Sequence, residues 1–258
     1  MSAGRLLAIQ LRTDLKVFVR NPAALFFTAI LPVVFLCLFV SIFGNERDEE
    51  LGVRVATLQV PAFIALAVVS AAFVGLVIGL VRVREDGVLK RLRGTPVAPW
   101  IVFAGRIGTA MVMATIVSGV LLAIGAIAFG VTIPTTTLPG LLVALLVGTF
   151  AFCALGIAYT RAVRGEEAAP PMTNAVALPL YFISGVFVPV SQLPRGLRQV
   201  ADVLPVKPFV DALTVAFDPR TTGVGIAWGE LAILAAWGVL GLLVALRTFA
   251  WTPQHQAS

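Results

Sequence analysis

Long apolar runs broken by short charged stretches organise the chain. Such runs cover residues of about 24–43, 58–81, 101–129, 138–159, 172–188 and 226–249, and about 20 mostly apolar residues suffice for a helix to cross a bilayer. Apolar positions fill each run instead of marking one stripe, which is the pattern of helices surrounded by lipid and by other helices. The pattern predicts an all-α polytopic membrane protein, with six transmembrane helices in a single transmembrane domain over residues 1–258. Pro32 falls inside the first run and should kink it. That run is too long for a signal peptide and no A-x-A-like cleavage site follows it, so it reads as an uncleaved span. Between the fifth and sixth runs, residues 189–225 hold five prolines and no stretch long enough to cross.

Ahead of the first run the period changes. Leu7, Leu11, Leu15 and Phe18 fall on one side of a helical wheel, with Arg5, Arg12, Lys16 and Arg20 opposite. This predicts an amphipathic helix over about 5–20 lying in the membrane interface; a plain basic flank that fixes orientation is the other reading. Asn21 and Pro22 mark a new helix start, because Asn caps and Pro loses nothing in the first turn. In the second run Ala71, Gly75 and Gly79 stand four apart. That spacing permits a close helix–helix dimer face but also arises by chance in glycine-rich spans.

Composition narrows the class. With 59% hydrophobic residues, 12% charged and a mean hydropathy of +0.99, a soluble globule and a disordered chain are both excluded. Cys37 and Cys153 lie inside apolar runs, and the one histidine, His255, is in the polar tail, so the expectation is no metal site, no disulfide framework and no His-based catalytic group within the membrane. The net charge of +6 reports topology and not a nucleic-acid partner. Six crossings put both termini on one side, where 13 of the 19 basic residues fall against six on the other. By the positive-inside rule the first side is cytoplasmic. The predicted span centres carry no Asp, Glu, Lys or Arg, which argues against an ion-coupled transporter. No GxxxxGK[ST] phosphate loop occurs, so the energy for any active transport must come from another chain.

The most charged stretch is residues 82–96. Glu85 and Asp86 precede Lys90, Arg91 and Arg93, so a short helix starting near Glu85 would match its charges to its dipole. Gly94 would end it, and Thr95-Pro96 would open the next helix. Val88, Leu89 and Leu92 give it an apolar edge. A solvated positive-inside loop and a docking element both fit these residues. The phenylalanines Phe26, Phe27, Phe35, Phe39 and Phe43 likewise fit an apolar pathway or a lipid-facing surface, and the residues lining a substrate pathway stay unknown.

Arg84-Glu85-Asp86-Gly87-Val88-Leu89-Lys90-Arg91-Leu92-Arg93-Gly94-Thr95-Pro96, followed by Trp100 and Gly105-Arg106, resembles the cytoplasmic segment of type-2 ABC exporter permeases, in the branch that includes daunorubicin-resistance exporters. Arg20-Asn21-Pro22 with Leu31-Pro32 is similar to that family's opening. Ser184-Gly185 through Pro189 to Leu193-Pro194, then Leu204-Pro205 and Asp211-Ala212-Leu213, is similar to its stretch between the last two spans. The resemblance runs in family order from about residue 5 to residue 249. It implies a half-transporter in the cytoplasmic membrane, in which two permeases, identical or paralogous, join two ABC ATPase subunits. ATP and Mg would then be bound by the ATPase, with no cofactor and no catalytic residue in this chain. Glu85, Gly87, Leu89, Lys90, Leu92, Thr95 and Pro96 would form a coupling helix seated in the ATPase and braced by the N-terminal helix. Gly185, Pro189, Leu193, Pro194 and Pro205 would belong to an external gate, with short re-entrant helices over about 193–204. Lys207 and Thr214 depart from the family pattern, which has a neutral polar or aromatic residue at the first position and commonly Arg at the second. The function implied is export of a hydrophobic or amphipathic substrate, such as a drug, antibiotic or lipid; small external loops argue against a large glycan. Two other classes stand beside it. A lipid-modifying membrane enzyme would need convergent polar groups, for which Asn174 and Ser184 are too few, and a structural subunit of an ABC-type complex would have no path of its own.

Overall fold

The computed structural model describes residues 12–49, 51–89 and 99–249. Residues 12–19 are helical. Eight further helices are α1 (Phe26–Phe43), α2 (Val55–Glu85), α3 (Pro99–Phe129), α4 (Leu138–Tyr159), α5 (Ala169–Ile183), α6 (Arg195–Val203), α7 (Val206–Phe217) and α8 (Trp228–Thr248). Among the described residues there is no strand, only an isolated bridge between Arg47 and Arg54. Five helices, α1, α2, α3 (from Phe103), α4 and α8, are long and apolar enough to cross a membrane. The chain is a multi-pass membrane protein, all-helical because lipid leaves backbone N–H and C=O groups no partner but one another.

Hydrogen bonds, an ion pair and a ring contact define the two ends of the bundle. At one, Asn45 Nδ2 donates to Phe129 O at 2.7 Å, Thr132 N to Thr57 Oγ1 at 3.2 Å, and Gly140 N to Val224 O at 2.9 Å. At the other, Arg84 meets the end of α4, Arg82 meets Glu166, and Phe103 stacks edge-on to Phe249. The second end carries the concentration of arginines and is called the basic end below.

Helix α4 is the hub, and its glycines set how close its neighbours come. A Cβ on Gly148 would lie 2.3 Å from the Phe209 ring of α7, and one on Gly140 would meet the backbone of Val224 and Gly225. On the other face, α8 brings Gly238 and Gly241 onto Ala151, Ala154 and Leu155; a Cβ on Gly241 would stand 2.8 Å from Leu155 N. With no hydrophobic drive between helices in lipid, such backbone-to-backbone contact is the main source of their attraction.

Two spans contain a widened turn. Pro32 has no N–H to offer the carbonyl of Thr28, and the chain answers with a π-helical turn at Phe26–Ile30, in which Leu31 N–H reaches back five residues to Phe26 O. A second π turn, Ser70–Gly75, interrupts α2. Its Ser70 hydroxyl lies 3.2 Å from the Tyr181 hydroxyl of α5.

The fifth run departs from its expected form. A crossing over 172–188 is expected, yet α5 ends at Ile183 because Ser184 and Gly185 turn the chain, Gly185 at φ +88°. Its 15 residues rise about 22 Å, short of the roughly 30 Å hydrocarbon core. The second run exceeds its expected limits, since α2 continues from Val55 to Glu85.

Candidate functional site

At the basic end α2 finishes in Arg84-Glu85, and the next residues turn back through Asp86 and Gly87, the latter at φ +69°, where glycine is favoured. This corrects the expectation that Glu85 opens a loop helix. Glu85 is the last residue of α2, the turn separates it from helical residues 88–89, and a dipole argument for an acid at a helix start does not apply to it. Lys90, Leu92, Thr95 and Pro96 lie outside the described residues, as do residues 5–11 of the N-terminal helix.

Arg84 is 1% exposed and is the largest fully buried side chain described. Its guanidinium is held on three sides: Nη1 donates to Thr160 O at 2.8 Å, Nη2 to Val163 O at 2.6 Å, and Nε to Glu85 Oε1 at 2.8 Å. Thr160 is the C-cap of α4 and Val163 lies just beyond, so a planar cation with five donors satisfies carbonyls that the helix end leaves open, where the macrodipole favours positive charge. Arg82 adds an exposed pair to Glu166 at 3.5 Å. The turn after α2 is thereby fastened to the connection between α4 and α5.

Leu89 is fully buried, with Val163 at the same 0% exposure, and both belong to the chain's own core. The apolar edge expected to face a partner therefore divides. Leu89 packs inward and Val88, at 38% exposure, is the outward member.

Beyond the loop, α3 begins with its own anchor. Arg106 Nη1 lies 3.4 Å from Asp14 Oδ1, and Thr109 Oγ1 is 3.4 Å from Asp14 Oδ2, tying helical residues 12–19 to α3. Burial pushes the Asp14 carboxyl above the usual range, while Arg106 and then Thr109 pull the other way. In this segment Leu15 and Phe18 are half-buried, with Arg12, Lys16 and Arg20 exposed.

The expected gate residues occupy two places. Gly185, Pro189, Leu193 and Pro194 form the connection from α5 to α6, where a Cβ on Gly185 would meet Val190 at 3.0 Å and Pro194 precedes the first turn of α6. Pro205 stands beyond the far end of α6, as the N-cap of α7. Gly75 is exposed and a Cβ on Gly79 would find nothing within 4 Å, so the described residues leave that small-residue face of α2 open.

Two features escaped sequence reasoning. Arg84 stood in the quoted motif without a role, because its acceptors are backbone carbonyls; its position one residue from the end of a long apolar helix was the signal available. The Lys207–Asp211 pair, 2.6 Å apart at i, i+4, was visible as a spacing and was assigned to an external loop.

The turn after α2 and the start of α3 are thus each anchored to a neighbouring helical element at the basic end of the bundle. Among known proteins, the sequence model of a family described as "ABC-2 type transporter" matches residues 5–217. The chain is also 23% identical, over 172 residues, to a protein described as "Probable multidrug ABC transporter permease YbhR" from Escherichia coli strain K12, with an equal match to that of Escherichia coli O157:H7. These matches cover 67% of this chain and 46% of the relatives, so it spans about half the length of the curated relatives it matches. With a family match across most of the chain and a bundle of helices long and apolar enough to cross a membrane, this protein belongs to the ABC-2 type transporter family.

Proposed function

We propose that the chain is the permease subunit of an ATP-driven exporter that moves a hydrophobic or amphipathic compound (drug, antibiotic or lipid) outward across the cytoplasmic membrane. A separate ABC ATPase, carrying ATP and Mg, docks at the basic end, and a second permease copy or a paralogue completes the assembly. The basic end is cytoplasmic by the positive-inside rule, with both termini there. In this reading α5 and residues 184–194 together make the fifth of six crossings, α6 and α7 form a re-entrant pair, and the N-terminal helix lies in the interface. The daunorubicin-resistance branch is our assignment within the family, drawn from the 84–96 motif.

The observation that carries the reading is the double clamp around residues 85–98: Arg84 on α4 at one flank and Asp14–Arg106 on α3 at the other. A push on the residues that follow Arg84 would pass through these two anchors into α2, α3 and α4. The multidrug description of the relatives from Escherichia coli supports a drug-like cargo.

The test is co-purification from membranes with the ATPase encoded beside the permease, using the native segment and one with residues 88–98 scrambled. The native chain should capture the ATPase and confer resistance to amphipathic drugs, and the scrambled chain should do neither at equal abundance. ATP turnover by rigorously purified permease alone, or undiminished capture by the scrambled chain, would overturn the division of labour.

A further inference from the structure

The six-run pattern leaves the span centres without charge, but the fold brings charge to their depth by another route. Lys207 of α7 reaches Asp211 at 2.6 Å and Asp202 of α6 at 2.9 Å. Glu230, in the first turn of α8, adds a third negative charge within electrostatic reach of Asp211.

Two contacts fix how deep this cluster lies. The ring of Phe209 fills the notch at Gly148, ten residues into α4, and Trp237 Nε1, nine residues into α8, donates to Val203 O at 2.7 Å. At 1.5 Å per residue both are about 15 Å from the end that holds Thr137 and Val224, the middle of a roughly 30 Å hydrocarbon core. The other end of α7 returns to that surface, where Thr137 Oγ1 donates to Ala216 O. The turn from α6 to α7, with Lys207 just after it, is at mid-depth.

At that depth the charges are not sealed off. The side chain of Asp202 is 53% exposed and that of Asp211 39%. A carboxylate held beside hydrocarbon is costly, and ionisable groups at this depth face protein or water. Lys207 pairs with one oxygen of each carboxylate and leaves the other able to accept, so water is the occupant that fits. Helix α6 also divides by chemistry: Leu197, Val200 and Val203 are its exposed apolar residues, while Arg195 and Arg198 carry charge toward its outer end and Asp202 lies deeper.

We propose that the α6–α7 pair lines a water-filled vestibule reaching mid-membrane from the Asn45–Val224 end, and that its inner part, with Lys207 against Asp202 and Asp211 and with Glu230 nearer the mouth, admits organic cations ahead of anions. The proposal deepens the permease reading by naming the charge of the head group that passes. It depends on the bundle geometry and not on the ATPase.

The experiment measures thiol reactivity with two impermeant methanethiosulfonates, one carrying a trimethylammonium and one a sulfonate. The background is Cys37→Ser with Cys153→Ala; single cysteines replace Asp202, Asp211, Asn45 and, as lipid-facing residues at similar depth, Leu146 and Val239. Each is probed in intact cells and in inverted vesicles, with full-length protein counted by labelling after SDS denaturation. Cysteines at 202 and 211 should react from the same side as that at 45, while those at 146 and 239 should not, since a thiol in hydrocarbon does not form the thiolate. At position 202 the cationic reagent should be the faster, and adding Asp211→Asn should lower the cation-to-anion rate ratio about ten- to thirtyfold, because one charge about 4–6 Å away in water changes each reagent's rate about three- to fivefold and in opposite directions. Adding Lys207→Gln should raise it. Silence at 202 and 211 in protein present at normal abundance would overturn the vestibule, as would reaction from the side opposite to 45. A rate ratio near one that ignores Asp211→Asn would overturn the cation preference. A cysteine at 45 that reacts only in inverted vesicles would reverse the orientation instead, leaving the comparison between positions intact.

Discussion

Replacing Arg84 by Ala should detach the turn after α2 from the end of α4. The guanidinium is 1% exposed and makes two charged hydrogen bonds to carbonyls and one to Glu85. A hydrogen bond from a charged donor is worth about 1.5–3 kcal/mol, and removing one member of a buried ion pair costs about 3–5 kcal/mol because the other is left uncompensated. Glu85, with its side chain 13% exposed, would lose this ion pair. Since the three bonds share one cation they do not add, and a loss of about 3–5 kcal/mol is expected for Arg84→Ala. Arg84→Lys keeps the charge but cannot fork across two carbonyls, so it should lose about 1.5–3 kcal/mol. Glu85→Gln still accepts from Nε and should cost about 1–2 kcal/mol. Reversible unfolding in mixed micelles, run as a double-mutant cycle, gives the order of the three. Amide exchange supplies the local readout: Arg84→Ala should accelerate exchange in residues 160–167 and leave the middle of α8 unchanged. Stability within about 0.5 kcal/mol of wild type, with exchange at 160–167 unaltered, would refute the clamp and the force path built on it.

Gly148→Ala should destabilise by about 1–3 kcal/mol through overpacking, because its new methyl would stand 2.3 Å from the Phe209 ring; adding Phe209→Leu should recover part of the loss, whereas Gly241→Ala, which strikes the α4 backbone, should admit no side-chain rescue. Leu89→Ala should cost about 2–5 kcal/mol in the permease alone, since Leu89 is buried in its own chain, while Val88→Ala should leave stability unchanged and lower ATPase co-purification. Asp14 is pushed upward by burial, so the folded state binds its proton more readily than the unfolded state. The stability it contributes is complete below the ordinary carboxyl range and is lost as pH rises through the folded-state value; Asp14→Asn should flatten that decline in unfolding measured between pH 3 and pH 7.

The spans were legible because their information is local. Leu138–Tyr159 appears with the limits its hydropathy gives, and Trp228–Thr248 within two residues of them, for lipid requires one apolar run per crossing whatever the neighbours do. The fifth run failed for a tertiary reason. Residues 184–188 are apolar enough to continue a helix, but the chain turns at Gly185, and Phe187 packs instead among Phe35, Phe39, Tyr181 and Phe182. Apolarity reports the depth of such a segment and not its backbone. The candidate coupling segment was recognisable from its charges and motif, but the direction in which Leu89 faces was not. An apolar edge on a charged loop reads as a docking stripe until the fold shows that Leu89 is buried in the chain's own core.

The clamp at the basic end and the cluster at mid-depth share the same two helices. Helix α2 carries Arg84 at one end and packs α7 along its outer half, while α4 supplies both the carbonyls that hold Arg84 and the Gly148 notch that holds Phe209. A displacement of the turn at residues 86–87 therefore loads both walls of the groove in which α7 sits. Packed interiors deform little, so such a load is absorbed where the hydrogen-bond ladder is weakest. In α2 that place is the π turn Ser70–Gly75, between the clamp and the segment that packs α7, and its Ser70 is in contact with Tyr181. A widened turn at this level would let the inner half of α2 rotate without carrying the outer half rigidly along. The Tyr181 contact then passes part of that rotation to α5, the helix whose continuation leads into α6. Motion beginning at the basic end would thus have two physical routes to the α6–α7 pair, one through the groove walls and one through α5, both passing the middle of α2.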